Sequence, residues 1–186
     1  MTTSNFKKGL AIKYNRETYI LVDYQFVNPG KGSAFTRAKM KNVKSGKVIE
    51  VTFKSGEQIE EANMEYRKCQ YMYTDGTDFH FMDNTSYEQF AVAGGMIGDM
   101  GQFMMDGGEV TVVFVDNQPA SVQLPPKMDF AVTEAPPGEK GDTATGGTKL
   151  VTIETGAKVA VPLFIKEGDR IRVNTETGEY VERVTR

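Results

Sequence analysis

The constraint that dominates this chain is the short distance between its turns. Runs of five to seven residues rich in Val, Ile, Tyr, Phe and Thr recur about every ten residues, and the glycines fall mostly between them. These runs alternate with period two, which puts successive side chains on opposite faces of a strand; the 3.6-residue helical period is scarce. Short strands so closely punctuated favour small β-barrels.

Strands are expected at 19–27, 34–41 and 48–54, with Ile20, Val22, Tyr24 and Phe26 on one face of the first. On the second, Phe35, Arg37 and Lys39 share one face, and Ala34, Thr36, Ala38 and Met40 the other. A hairpin is expected from 70–73 to 79–82 around the turn 74–76, then a glycine- and methionine-rich loop over 91–108 with one short helix at 99–106. Further strands are expected at 109–115, 120–124, 128–134, 149–154, 158–164, 169–174 and 179–184. Turn chemistry and charge together divide the chain into 1–65, 66–127 and 128–186. Each block is near the lower size limit for independent folding, so the second and third are expected to pack on their neighbours.

Charge is unevenly spread. The net −3 divides into +4 over residues 1–65, −6 over 66–126 and −1 over 127–186, and the first 55 residues alone carry +8. A basic first block suits a polyanion partner. Cys69 and His80 are the lone residues of their kinds, which excludes an internal disulfide, a cysteine zinc site and a histidine cluster, and leaves little room for a Ser/His/Asp triad. No apolar run reaches the roughly 18 residues of a membrane span. The first residues lack the apolar core of a secretory signal, so a cytoplasmic protein is expected.

Few motifs survive inspection. The segment from Gly30 to Ser33 is too short for a phosphate loop and leads into a strand, and Gly147 stands where such a loop needs lysine after Gly146. His80, between Phe79 and Phe81, is read as a structural or surface residue, and Cys69 as a partly buried thiol. Met96, Met100, Met104 and Met105 are read as local core, and Glu60-Glu61 as a solvated face. Lys31 remains. It stands at the tip of a hairpin between Gly30 and Gly32, after Pro29, where glycine permits positive φ on both sides. Its ammonium is a point charge on a four-carbon stem, suited to phosphate or to covalent extension.

The run from Phe26 to Phe35 through Pro29-Gly30-Lys31-Gly32, followed by the basic strand from Thr36 to Lys41, resembles the tip hairpin of bacterial elongation factor P. The resemblance continues in order: Tyr73 to Phe79 with Phe81-Met82-Asp83, Pro137 to Thr143, Thr155-Gly156-Ala157, Val161 to Phe164, Gly168 to Asn174 and Thr177 to Arg183. It implies an all-β fold of three small barrels, a KOW/SH3-like one and then two OB folds, in an elongated L resembling tRNA. It also implies a monomeric, non-enzymatic factor that enters the 70S ribosome between the peptidyl-tRNA and exit sites and relieves stalling at consecutive prolines.

By the same resemblance, Lys31 reaches the acceptor end of the proline-bearing peptidyl-tRNA and is the target of a lysine-modifying enzyme, while Pro29, Gly30 and Gly32 shape its loop. Arg37, Lys39 and Lys41 are expected to meet RNA phosphates. Gly141, Asp142 and Thr143 are expected to approach the exit-site mRNA codon, and Tyr180 and Arg183 the P-site tRNA and small subunit. No cofactor or metal is implied. A paralogue of the elongation factor P-like type is disfavoured by the intact tip and Gly141-Asp142-Thr143. A general OB-type RNA-binding protein is disfavoured by the acidic second block and the absence of tryptophan.

Overall fold

The computed structural model describes residues 1–138 and 146–185. They form fifteen strands in three five-stranded sheets. The first sheet has the order β4-β3-β2-β1-β5, from β1 (Ala11–Tyr14), β2 (Glu17–Val27), β3 (Phe35–Asn42), β4 (Val48–Lys54) and β5 (Glu60–Glu61). The second has the order β10-β9-β6-β7-β8, from β6 (Met64–Thr74), β7 (Asp78–Asp83), β8 (Gln89–Ala93), β9 (Glu109–Val115) and β10 (Gln118–Gln123). The third has the order β13-β12-β11-β14-β15, from β11 (Lys127–Glu134), β12 (Thr148–Ile153), β13 (Lys158–Pro162), β14 (Arg170–Asn174) and β15 (Tyr180–Val184). All pairings between named strands are antiparallel. The all-β expectation therefore holds.

Each sheet closes over its own core. Leu21, Ala38, Met40 and Phe53 fill the first, Phe81, Val92, Val112 and Phe114 the second, and Phe130, Ile153, Ile165 and Ile171 the third. Phe81 and Phe130 are fully buried, and each such side chain contributes about 1.5–3 kcal/mol by leaving water. The sheets also pack on each other. Ala11 with Ile20 and Val43 of the first meets Val113, Val115 and Ala120 of the second. Phe103, from the stretch after β8, joins the third core against Phe130. Thr175 clasps the connector between the second and third sheets: its hydroxyl donates to the Pro125 carbonyl at 2.7 Å and its N–H to that of Pro126 at 3.0 Å.

Four local expectations need correction. β1 was not anticipated; it turns into β2 through Asn15 and Arg16, both at positive φ (49° and 66°), the backbone of a tight two-residue hairpin turn. The helix lies earlier than 99–106. A single α turn spans Gly94–Ile97 and a 3₁₀ turn Gly98–Phe103, while 104–106 are not helical. The cause is at Gly94, whose N–H donates to the Thr77 carbonyl at 3.0 Å and where a Cβ would stand 2.4 Å from that oxygen. Ala91 and Val92 belong to β8 rather than to a loop. Finally, Ile20, Val22, Tyr24 and Phe26 do not share a face. The register shifts between Leu21 and Asp23, so the inner row runs Tyr19, Leu21, Tyr24, Phe26 opposite Asn42, Met40, Ala38 and Thr36.

Candidate RNA-facing hairpin

The β2–β3 hairpin carries Lys31. Its strands stay paired out to Val27 and Phe35, and the seven residues between them lie past the last rung. Among the described residues no hydrogen bond joins members of that loop to one another; Ala34 alone is tied down, its carbonyl accepting from the Ser55 N–H at 3.1 Å. The loop's shape comes from covalent geometry. Pro29 fixes its own φ, and Gly32 sits at φ 104°, a region costly to any residue with a Cβ. Gly30 is not at positive φ, so one of the two flanking glycines is required by backbone conformation and the other is not. Lys31 is exposed, its ammonium projecting from the end of the hairpin.

Behind the tip, β3 alternates as expected: Thr36, Ala38 and Met40 are buried, and Arg37 and Lys39 exposed. The three basic residues of the outer face are not equivalent. Lys39 lies in register between Asp23 of β2 and Glu50 of β4, so its charge is set among carboxylates. Lys41 is half-buried between Ile20 and Val48. Arg37 has Gln25 and Thr52 as neighbours and its guanidinium lies 5.5 Å from the Phe35 ring centre. Of the three, Arg37 alone is both exposed and without an acidic neighbour in register, and it is the best placed for a phosphate.

On the inner face the bulge leaves Tyr24 40% and Phe26 60% exposed. They line a groove with Thr2, Phe6, Thr36 and Ser55 beside the tip. Neither was marked by sequence as a surface residue, because period two through Val22 hides the register shift.

The C-terminal candidates divide. Tyr180 is half-buried and packs on the third core, where it pairs with Val173. Arg183 is exposed, 5.5 Å above the ring of Phe164, itself 55% exposed. Nearby Arg172 is occupied by a fork to Asp129 (2.8 and 3.2 Å) and a bond to Glu182 (2.6 Å), which holds the Asp129 carboxyl below its ordinary range. Gly141, Asp142 and Thr143 lie outside the described residues.

The two residues with reactive potential are engaged structurally. Cys69 is buried, donates weakly to the Arg67 carbonyl, and burial pushes its thiol up to about 11, so it is not a thiolate near neutrality. His80 stacks on Tyr73 with ring centres 4.5 Å apart and shares a 2.9 Å hydrogen bond with Asp75 through Nε2. Among the described residues no three metal-ligating side chains converge, and no helix is long and apolar enough to cross a membrane.

Three family models fit consecutive stretches of the chain: "Elongation factor P (EF-P) KOW-like domain" over 2–59, "Elongation factor P (EF-P) OB domain" over 64–122 and "Elongation factor P, C-terminal" over 128–183. The chain belongs to the elongation factor P family. Elongation factor P of Natranaerobius thermophilus is 45% identical over 184 residues, covering 99% of this chain and 98% of that one. The Wolinella succinogenes and Helicobacter hepaticus proteins of the same name are each 46% identical over 181 residues, covering 97% of both chains. Membership of this family makes the chain a ribosome-associated translation factor built from a KOW-like module, an OB domain and a family-specific C-terminal domain.

Proposed function

We propose that this factor binds the 70S ribosome between the peptidyl-tRNA and exit sites and speeds peptide-bond formation where consecutive prolines must be joined. The observation that carries the reading is the placement of Lys31. It is a lone exposed cation at the end of a long hairpin whose tip is shaped by proline and glycine and held by no internal hydrogen bonds. Such a group can enter a crowded cleft and settle against phosphate or sugar oxygens there.

Proline is a poor partner in peptide transfer because its ring fixes φ and restricts the approach of the reacting groups. A cation holding the acceptor end of the peptidyl-tRNA restores attack geometry, and positioning of this kind is worth up to about 7–11 kcal/mol in the best intramolecular cases. No bond to Lys31 and no proton from it are required, so the chemistry belongs to the ribosome. A modifying enzyme that lengthens Lys31 would extend its reach and add donors. Arg37, with Lys39 and Lys41 in lesser roles, would hold RNA backbone. Arg183 would face the small subunit, with Tyr180 supporting its hairpin, and Gly141-Asp142-Thr143 would approach the exit-site codon. The functional units are residues 1–65, 66–127 and 128–186, acting as a monomer in the cytoplasm.

The test joins mass to rate. The intact mass of the native protein, with fragmentation across residues 26–37, reports any group on Lys31. The same preparation is then added to purified ribosomes forming proline–proline bonds. Acceleration by the native protein, lost in Lys31→Ala, is expected; a Lys31→Ala protein as active as the native one would remove the basis of the proposal.

A further inference from the structure

We infer that the message for this chain is itself a substrate of the factor, so that the supply of active factor sets the pace of its own synthesis. The inference rests on the proline reading proposed above. The chain has seven prolines, and four of them stand in two adjacent pairs, Pro125-Pro126 and Pro136-Pro137. Each pair is a junction of the kind the factor is proposed to resolve.

Both pairs have work in the folded protein. Pro125 and Pro126 bridge the end of β10 at Gln123 to the start of β11 at Lys127. Both of their carbonyls are taken by Thr175, a residue only 3% exposed. Two restricted φ angles thus pre-set the path by which the third sheet is fastened to the second. The second pair follows β11 after Ala135, and the Pro136 carbonyl accepts from the Lys149 ammonium at 2.8 Å. Alternatives without adjacent prolines would free φ at these joints and raise the entropy lost on folding.

Their place in the chain gives a delay a particular outcome. When the ribosome reaches Pro125-Pro126, every residue of β1 to β10 has been added and none of the third sheet. Domains tend to form as units during synthesis, so the delay falls at a seam between folding units. The Pro136-Pro137 step comes after β11 has been made and before its partners β12 and β14. A cell short of active factor therefore replaces it slowly, and one well supplied replaces it quickly. Synthesis reinforces itself.

The experiment translates the full-length message in a reconstituted system of purified components lacking any member of the family, with and without full-length protein isolated from its native cells. Ribosome positions are mapped by primer extension, and an unrelated message containing a run of prolines is translated alongside. Added protein is expected to shorten the dwell at codons 125–126 and 136–137 roughly tenfold, the change produced by about 1.4 kcal/mol of barrier. A message carrying Pro125→Ala and Pro136→Ala is expected to be insensitive. The readout is elongation, so whether that variant folds does not matter. If the unrelated message is accelerated and this one is not, the self-dependence is overturned and the proposed function stands. If neither responds, both fall. If the Pro125→Ala, Pro136→Ala message still responds, the two pairs are not the cause.

Discussion

The β2–β3 hairpin of the first sheet and the β6–β7 hairpin of the second are built from the same antiparallel ladder, yet their ends are held by opposite means. In the second, Asp75 binds the whole turn. Its Oδ1 accepts from the N–H groups of Thr77 (2.8 Å) and Asp78 (2.7 Å), its Oδ2 lies 2.9 Å from His80 Nε2, and the Thr74 hydroxyl donates to the Asp78 carbonyl. In the first, among the described residues, the seven around Lys31 have no such clamp; proline, glycine and the single bond from the Ser55 N–H to the Ala34 carbonyl limit them. A turn that satisfies its own donors has a settled shape and little left to offer a partner. A tip that leaves them open can take the shape its binding site imposes.

Substitutions can break this contrast, and the largest effect is expected from Lys31→Ala. It should slow proline–proline bond formation on purified ribosomes by roughly tenfold or more. Its unfolding free energy should stay within about 0.5 kcal/mol of the native value, as for an exposed side chain without structural contacts; a clear loss of stability would show that the tip is held after all. Gly32→Val comes next. A β-branched residue at φ 104° either strains the loop, at a cost of about 1–3 kcal/mol, or reshapes it. The rate on ribosomes should fall, by less than in Lys31→Ala, with the lysine still present by mass.

Asp75→Ala should do the reverse, lowering the thermal midpoint by a few degrees while leaving the ribosome assay unchanged. The Asp75 carboxyl is held at about 2, below its ordinary 3.8, first by the Asp78 N–H and then by His80 and the Thr77 N–H. A carboxylate whose pKa drops on folding stabilises the fold above its unfolded value, and that stabilisation is lost as pH falls through the folded one. The wild-type midpoint should therefore decline between about pH 4 and pH 2 more steeply than that of Asp75→Ala, followed by circular dichroism. The smallest effect is expected from His80→Gln. Asp75 keeps its backbone donors there, so the midpoint should fall less than in Asp75→Ala.

The sequence exposed the ladder of this fold better than its irregularities. Pro29-Gly30 and strict alternation from Thr36 to Met40 mark the tip hairpin because local chemistry decides both. β1 escaped notice because four residues are too few to show a period, and its turn places Arg16 where glycine is the usual signal. The helix at Gly94–Ile97 was misplaced because two glycines argue against a helix locally; a close approach to Thr77 selects Gly94. At the site, Lys31 was legible and the differing surroundings of Arg37, Lys39 and Lys41 were not. Those depend on the shift at Val22 that brings Asp23 opposite Lys39, a choice made by twist and packing across strands.

One strand joins the seat of the first sheet to its tip. Ile20 of β2 is packed against Val113, Val115 and Ala120 of the neighbouring sheet, and the same strand runs on, through the register shift at Val22, to Val27. At roughly 3.3 Å per residue that is a lever of about 23 Å with its fulcrum at Ile20. A rocking of about 5° at the fulcrum would swing the far end by about 2 Å, where a misplacement of about 1 Å can change a rate on the order of a hundredfold. Apolar contacts far from Lys31 thus bear on where the end of its hairpin points.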